Sequence, residues 1–314
     1  MNYDNRSKPY ERKDNTICFG LYPQGKVTCL ALIETLNDMA GELPTATNNG
    51  SWISYGYYTC GKVENYAWYC DIEREGEKYR GVYFTALRPD DVNTKSAPEN
   101  SRQYDNEYSE NRVYWFKFEP IKWHILREEE GIALLLADLI LDAQEFNATL
   151  GNSNESDISA SSNNWEHSGI RKWLNDVFYN TAFTETEKTL ICESKLDNKT
   201  TAKPNDDGRN RYATQQNNTK DSVFLLSYKE VKDLICKQNT LALRRKNSDY
   251  ALSQGAGAST LPDTLSNGTW WLRSPFYLDS NYASFVSFDG NTDFNSKVIV
   301  NCNGILPALN LIIK

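Results

Sequence analysis

The chain contains no run of about 18 apolar residues, the length that a membrane-crossing helix needs. Residues 1–14 include no apolar stretch of the kind that marks a secretory signal. Histidine is nearly missing. His124 and His167 are the only two, so a histidine-based triad or metal site has to draw on one of them. His124 alternates with Trp123 and Ile125 in a strand pattern, and His167 stands just ahead of a helix; both read as surface residues. No GxSxG, GxxxxGK[ST] or GxGxxG occurs, which removes the nucleophile elbow, the phosphate-cradling loop and the dinucleotide fingerprint. The Gly-rich Gln254–Ala258 reads as a flexible loop. The seven cysteines never form CxxC, which argues against a zinc ribbon and a dense disulfide framework. Buried reduced thiols are the expectation, with a Cys60–Cys70 bridge as the alternative in an oxidising compartment. Positive charge is in deficit, 34 Lys+Arg against 42 Asp+Glu, so the chain lacks the electrostatic footprint of a nucleic-acid binder. Arg244-Arg245-Lys246 reads as a solvated helix end. No catalytic residue, metal ligand or cofactor is assigned, and the reading is of a protein that is not an enzyme.

Asparagine is abundant, with 32 residues in 314, and many lie beside Ser, Asp and Gly. Tyr (19) and Trp (8) are also numerous. This composition points to an α+β fold of antiparallel sheets, two or three short helices and long loops. Residues 1–14 read as a flexible N-terminus and 15–314 as one domain, with a hairpin-rich insertion at about 45–112. Ile17–Tyr22 reads as a strand ended by Pro23-Gln24-Gly25. Apolar spacing from Leu30 to Met39 predicts a helix. Trp68–Glu73 and Lys78–Phe84 form a hairpin pattern, and 88–111 reads as an exposed loop. Val113–Leu126 reads as two strands broken at Pro120, and Ile132–Leu141 as a buried strand. Ser168 is an N-cap for a helix with Ile170, Trp173, Leu174, Val177 and Phe178 on its apolar stripe. Thr184 with Glu187, and Ser227 with Glu230, have capping-box spacing. Gly151–Asn164 and Asp197–Asn218 read as polar loops. Trp270–Arg273, Ala283–Phe288, Lys297–Val300 and Leu306–Ile313 read as a C-terminal antiparallel meander.

Residues 276–304 stand apart. Of these 29 residues, 18 are Asn, Asp, Ser, Tyr or Phe; there is one Lys and no Glu, Gln, Met, Trp, His, Arg or Pro. An AAC codon randomised at its adenines yields Asn, Tyr, Asp, Ser and Phe among others, and never Lys, Glu, Gln, Met or Trp. Composition and absences both fit that rule, Lys297 excepted. Such a residue set suits recognition, because rings give contact area at low entropic cost while Asn, Ser and Asp adapt their hydrogen bonds. Ala283, Val286, Gly290, Val298 and Val300 read as inward scaffold. The candidate ligand-binding residues are those between: Tyr277, Asp279, Ser280, Asn281, Tyr282, Ser284, Phe285, Ser287, Phe288, Asp289, Asn291, Asp293, Phe294, Asn295 and Asn301. Phe285 and Phe288, three apart, face opposite sides of one strand unless a turn or bulge intervenes.

Five motifs occur in order: Ile121–Leu126 (IKWHIL), Ser168–Asn175 (SGIRKWLN), Phe224–Ser227 (FLLS), Trp270–Pro275 (WWLRSP) and Gly304–Leu309 (GILPAL). Together they resemble a family of uncharacterised bacterial and phage domains with a WWLRSP…PAL signature. They also resemble the variable proteins of diversity-generating retroelements, which display a mutagenised C-terminal region on a C-type-lectin fold of the formylglycine-generating-enzyme type. The resemblance implies a ligand-binding, receptor- or adhesin-like protein whose partner is a protein or surface ligand, with no nucleic acid and no membrane span. It implies a cytoplasmic or phage-particle location. The alternative is a non-diversified structural, cell-surface or virion module of the same fold. The chain departs from the pattern at Leu306, where the family often has Arg. It also lacks the oxidising cysteine pair of the formylglycine enzymes and the Glu-Pro-Asn or Gln-Pro-Asp calcium motif of sugar-binding lectins, so neither activity is carried over.

Overall fold

A computed structural model describes residues 9–45, 48–59, 62–150, 161–199, 216–236 and 240–313. The fold is mixed α+β, about 22% helix and 37% strand, with mainly antiparallel sheets and short helices. No helix among the described residues is long and apolar enough to cross a membrane.

The spine is one strand of 17 residues, Val113–Glu129. It is too long for a single neighbour. Glu77–Phe84 pairs with its first part, through Val113–Lys117, and Ile132–Ala137 with its last, through Trp123–Glu129. Thr16–Lys26 runs along residues Phe116–His124 of the same strand. Pro120 therefore does not break it. The proline sits between the two segments that pair with Glu77–Phe84 and Ile132–Ala137, where a missing N–H costs no ladder bond to either. Pro23 survives inside Thr16–Lys26 for a related reason, since it lies at a register shift. Gln24, read as a strand end, instead donates its side-chain amide to the carbonyls of Glu119 (2.9 Å) and Pro120 (3.3 Å).

The sheet extends outward through Ala67–Arg74 to Ile53–Ser54 on one side. On the other, Ala308–Ile312 lies between Ile132–Ala137 and Ile191–Cys192. Three expectations change here. The hairpin placed in an insertion is part of the main sheet. The last strand joins that sheet rather than a C-terminal meander. Within the supposedly flexible N-terminus, Glu11–Lys13 pairs with Thr16–Cys18.

Residues 88–111 are also more than an exposed loop. Arg88, Gln103 and Tyr108 are buried. Arg88 donates to the carbonyls of Ala143 (2.6 Å) and Gln254 (3.1 Å) and pairs with Glu145 at 2.7 Å. Gln254 and Ala256 are themselves buried, so that Gly-rich stretch is not a flexible loop. Arg245–Lys246 is a strand paired with Asn267–Gly268 rather than a helix end.

Side chains alternate across the main sheet. One face carries the large core, with Phe116, Trp123, Leu135, Trp270 and Trp271 among its members. The other packs Trp52, Trp68 and Trp115 against Leu36 of the helix Leu30–Ala40. Leu36 and Ala40 are the residues this helix buries, while Leu30 and Met39 face solvent. Gly81 lets Trp115 lie flat, since a Cβ there would meet the indole ring at 2.8 Å. Gly169–Trp173, Leu174–Phe178 and Tyr179–Ala182 run on as one helix whose middle turn is π-helical. Ser168 caps it and buries Ile170, Leu174 and Phe178, while Val177 of the expected apolar stripe is exposed. Both capping boxes form.

Candidate functional site

A second sheet carries the segment of interest. Its order is Asp142–Ala143, Gly304–Ile305, Trp270–Pro275, Tyr282–Val286 and Phe294–Lys297. The first strand of the WWLRSP motif is wholly buried. Arg273 binds the Glu230 carboxylate through both terminal nitrogens, one at 2.9 Å, and donates to the Leu225 carbonyl (2.9 Å) and Asn198 (3.1 Å). Glu230 also accepts from the Ser227 N–H at 2.8 Å, and Ser274 accepts the next free helical N–H, from Tyr228, at 2.8 Å. The motifs FLLS and WWLRSP are thus one structural device: a capped helix start clamped to a buried strand. Burial pushes the Glu230 carboxyl up, but Arg273 outweighs it, together with the Ser227 bonds, and holds it below its usual value. Trp271 donates its ring N–H to the Gln144 carbonyl at 2.9 Å and packs edge-on against Phe146.

The antiparallel pair Tyr282–Val286 and Phe294–Lys297 projects from this base. Phe285 lies opposite Phe294, and Ser284 opposite Asn295. Successive residues face opposite sides, so the aromatic residues form two groups rather than one patch. Phe285 and Phe294 stack at 5.9 Å on one side, with Phe285 resting edge-on against Trp271 at 6.5 Å. Phe276, Tyr277 and Tyr282 form the other group, Phe276 lying 4.9 Å from Tyr277 and 6.3 Å from Tyr282. Phe294 is 46% exposed and neighbouring Leu278 65% exposed. Phe288 lies beyond the strand, beside a turn in which Gly290 (φ 86°) donates to Ser287 at 2.9 Å.

Asp289, Asn291 and Asp293 are exposed, while Tyr277, Asp279, Ser280, Asn281, Tyr282, Phe285, Phe288 and Asn295 are half-buried. Three candidate residues belong to the scaffold. Ser284 is buried and donates to Asn295 at 3.3 Å. Ser287 is buried and turns its hydroxyl onto Asp289, which lowers the Asp289 carboxyl. Asn301 is buried between Arg88 and the Pro89 carbonyl, to which it donates at 2.9 Å. Each is turned inward because it satisfies a polar group the fold has taken from water. Of the positions read as scaffold, Ala283, Val286, Gly290 and Val298 are buried and Val300 is half-buried.

Sequence reasoning missed the groups that hold this segment. Buried Asn163 donates its side-chain amide to the carbonyls of Asp279 (3.0 Å) and Tyr282 (2.8 Å), and its own N–H to the Ser280 carbonyl (3.0 Å). Ser162 donates to the same Ser280 carbonyl at 3.0 Å. Asn267 donates to the Phe288 carbonyl (3.1 Å) and Arg244 to the Asp289 carbonyl (3.0 Å). The main-chain N–H groups of Asn147, Val92 and Gly257 donate to Val298, Ile299 and Cys302. The grip falls mostly on main-chain oxygens, which every residue type supplies. One contact reads a side chain, that of Ser162 with Asn281 at 2.8 Å.

The two histidines lie elsewhere: His124 pairs with Asp138, and His167 is exposed beside Glu166. Cys70 is a free thiol, and Cys60 lies outside the described residues, as do positions 151–160 and 200–215 of the two polar loops. Among the described residues no group of three or more His, Cys, Asp or Glu is arranged to hold a metal ion.

No curated protein and no solved structure matches this chain. A family model, described as a domain of unknown function (DUF6273), matches residues 130–313, a span that holds four of the five motifs and all of the second sheet. The match covers more than half of the chain, and the protein belongs to the DUF6273 family.

Proposed function

We propose that this chain is a ligand-binding protein in which a stiff framework displays residues 276–304 to a partner, another protein being the partner best suited to such a surface. The proposal includes its resemblance to retroelement variable proteins and a C-type-lectin-type scaffold. One observation carries the reading. The framework holds the segment chiefly through main-chain carbonyls, so most of its side chains can change without loss of a framework contact. The residues left facing out, including Phe294, Asp289, Asn291 and Asp293, combine rings with short polar groups. That mixture gives contact area and adaptable hydrogen bonding together. Full burial of two or three such rings is worth about 1.5–3 kcal/mol each, enough to anchor micromolar binding after the cost of association.

The gene tests the diversification part. Sequencing the locus in several isolates is expected to show a nearby reverse transcriptase and a template copy that differs from codons 276–304 only at adenines. Differences spread evenly over template bases, or falling on Ala283, Val286 and Val298 as often as on Asp293 and Phe294, would refute it. A fixed recognition module of the same fold would then be the remaining reading.

A further inference from the structure

A cavity of about 160 Å³ lies away from residues 276–304, none of which lines it. Tyr22, Tyr55, Tyr69, Trp173 and Tyr250 form its walls, and Val177, 47% exposed, lies at its rim. Tyr22 and Tyr250 meet edge-on at 5.7 Å, and the Tyr55 and Tyr250 hydroxyls are 2.8 Å apart. Asp142 also lines the cavity and is buried. It accepts from the Tyr22 hydroxyl (2.7 Å), the Ala143 N–H (2.7 Å) and Gln144 (3.3 Å).

Charge accounting singles out this carboxylate. Arg80, on the same wall, is bound two-fold by Asp71 at 2.7 and 2.9 Å. Arg88 is paired with Glu145. Among the described residues no Lys, Arg or His nitrogen stands within ion-pair distance of Asp142. One negative charge is therefore left over inside a ring of aromatic faces. A buried carboxylate without a partner is costly and ends by taking a proton or a cation. Aromatic faces attract cations. A hard metal ion seeks six or more oxygens, and one carboxylate does not supply them. The hole has about the volume that accommodates benzene.

We propose that this cavity binds a small organic ammonium ion, of about the size of tetramethylammonium, with Asp142 as its counter-ion and the tyrosine and tryptophan rings as its walls. Burial pushes the Asp142 carboxyl up to about 6, against the Tyr22 and Ala143 hydrogen bonds and the charges of Arg88 and Arg80. Tyr22 and Tyr250, the other titratable groups facing it, are held neutral by burial, well above the ordinary tyrosine value. A cationic guest requires the ionised carboxylate, so affinity rises with pH through about 6.

Calorimetric titration of the full chain with tetramethylammonium chloride tests this, with neutral tert-butanol as the control of similar shape. Saturable binding is expected at pH 7.5, weaker by about tenfold at pH 5, where roughly a tenth of the carboxylate is ionised. Asp142→Asn should weaken binding at pH 7.5 at least tenfold, and Trp173→Ala, at the cavity wall, should weaken it with the fold retained. No saturable heat at pH 7.5, equal binding of tert-butanol, or affinity indifferent to pH would overturn the proposal. If Asp142→Asn fails to fold, the pH comparison and Trp173→Ala decide between the same two outcomes.

Discussion

Replacing Asn163 by Ala isolates the contacts on which the recognition surface rests. The side chain is buried and makes three hydrogen bonds: two donated to Asp279 and Tyr282 carbonyls and one accepted from Ser161 at 2.9 Å. A typical buried bond contributes about 1 kcal/mol net, and an acceptor left unsatisfied costs about 1–3 kcal/mol. Water can reach part of the half-buried turn 277–282, so the lower ends of these ranges apply. Asn163→Ala should therefore cost about 2–4 kcal/mol in urea denaturation. It should also speed amide exchange at Tyr282, whose N–H bonds within that turn. Asp293→Tyr, a drastic change at an exposed position of the displayed segment, should cost no more than about 0.5 kcal/mol. The reasoning fails if Asn163→Ala costs under about 1 kcal/mol with exchange unchanged, or if Asp293→Tyr costs as much.

Three further outcomes follow from the same structure. Phe294→Ser should cost about 1 kcal/mol, whereas Phe285→Ser, which strips a ring from Trp271, should cost about 2–3 kcal/mol by denaturation; equal costs would show that the two rings are not layered as described. Arg273→Met leaves Glu230 charged and unpaired and should cost about 3–5 kcal/mol, while adding Glu230→Gln should recover part of that loss. In the wild-type chain the Glu230 contribution is present at neutral pH and is lost as pH falls through its lowered value. Asp142 has the opposite sign. Its folded value, raised from 3.8 to about 6, lowers stability by roughly 3 kcal/mol as pH climbs from about 4 to above 6. Asp142→Asn should flatten that limb of the pH–stability curve.

Local signals in the sequence were legible and non-local ones were not. Thr184 with Glu187 and Ser227 with Glu230 form capping boxes because both partners lie within one turn, so spacing alone specifies them. Pro120 misleads because a proline's effect depends on what lies beside it, and here the pairing partner changes at that point. Arg88 and Gln103 look solvated in a stretch full of charge and Asn, yet their partners are 15 to 213 residues away. Asn163 sits in a Ser/Asn run that reads as a turn, and nothing nearby shows that its amide reaches Asp279 and Tyr282. Composition did mark out 276–304. Parity separates Tyr282 from Phe285, but the burial of Ser284, Ser287 and Asn301 depends on neighbours that spacing does not reveal.

The central claim is that the framework specifies the backbone of residues 276–304 and leaves its outward side chains free. A library settles it: Tyr277, Asp289, Asn291, Asp293, Phe294 and Asn295 are each varied over Asn, Asp, Ser, Tyr and Phe, and resistance of the displayed variants to protease is scored. A parallel library varies Ala283, Val286 and Val298 over the same five residues. Most members of the first library are expected to resist protease like the parent, and almost none of the second. Comparable losses in the two would contradict the account.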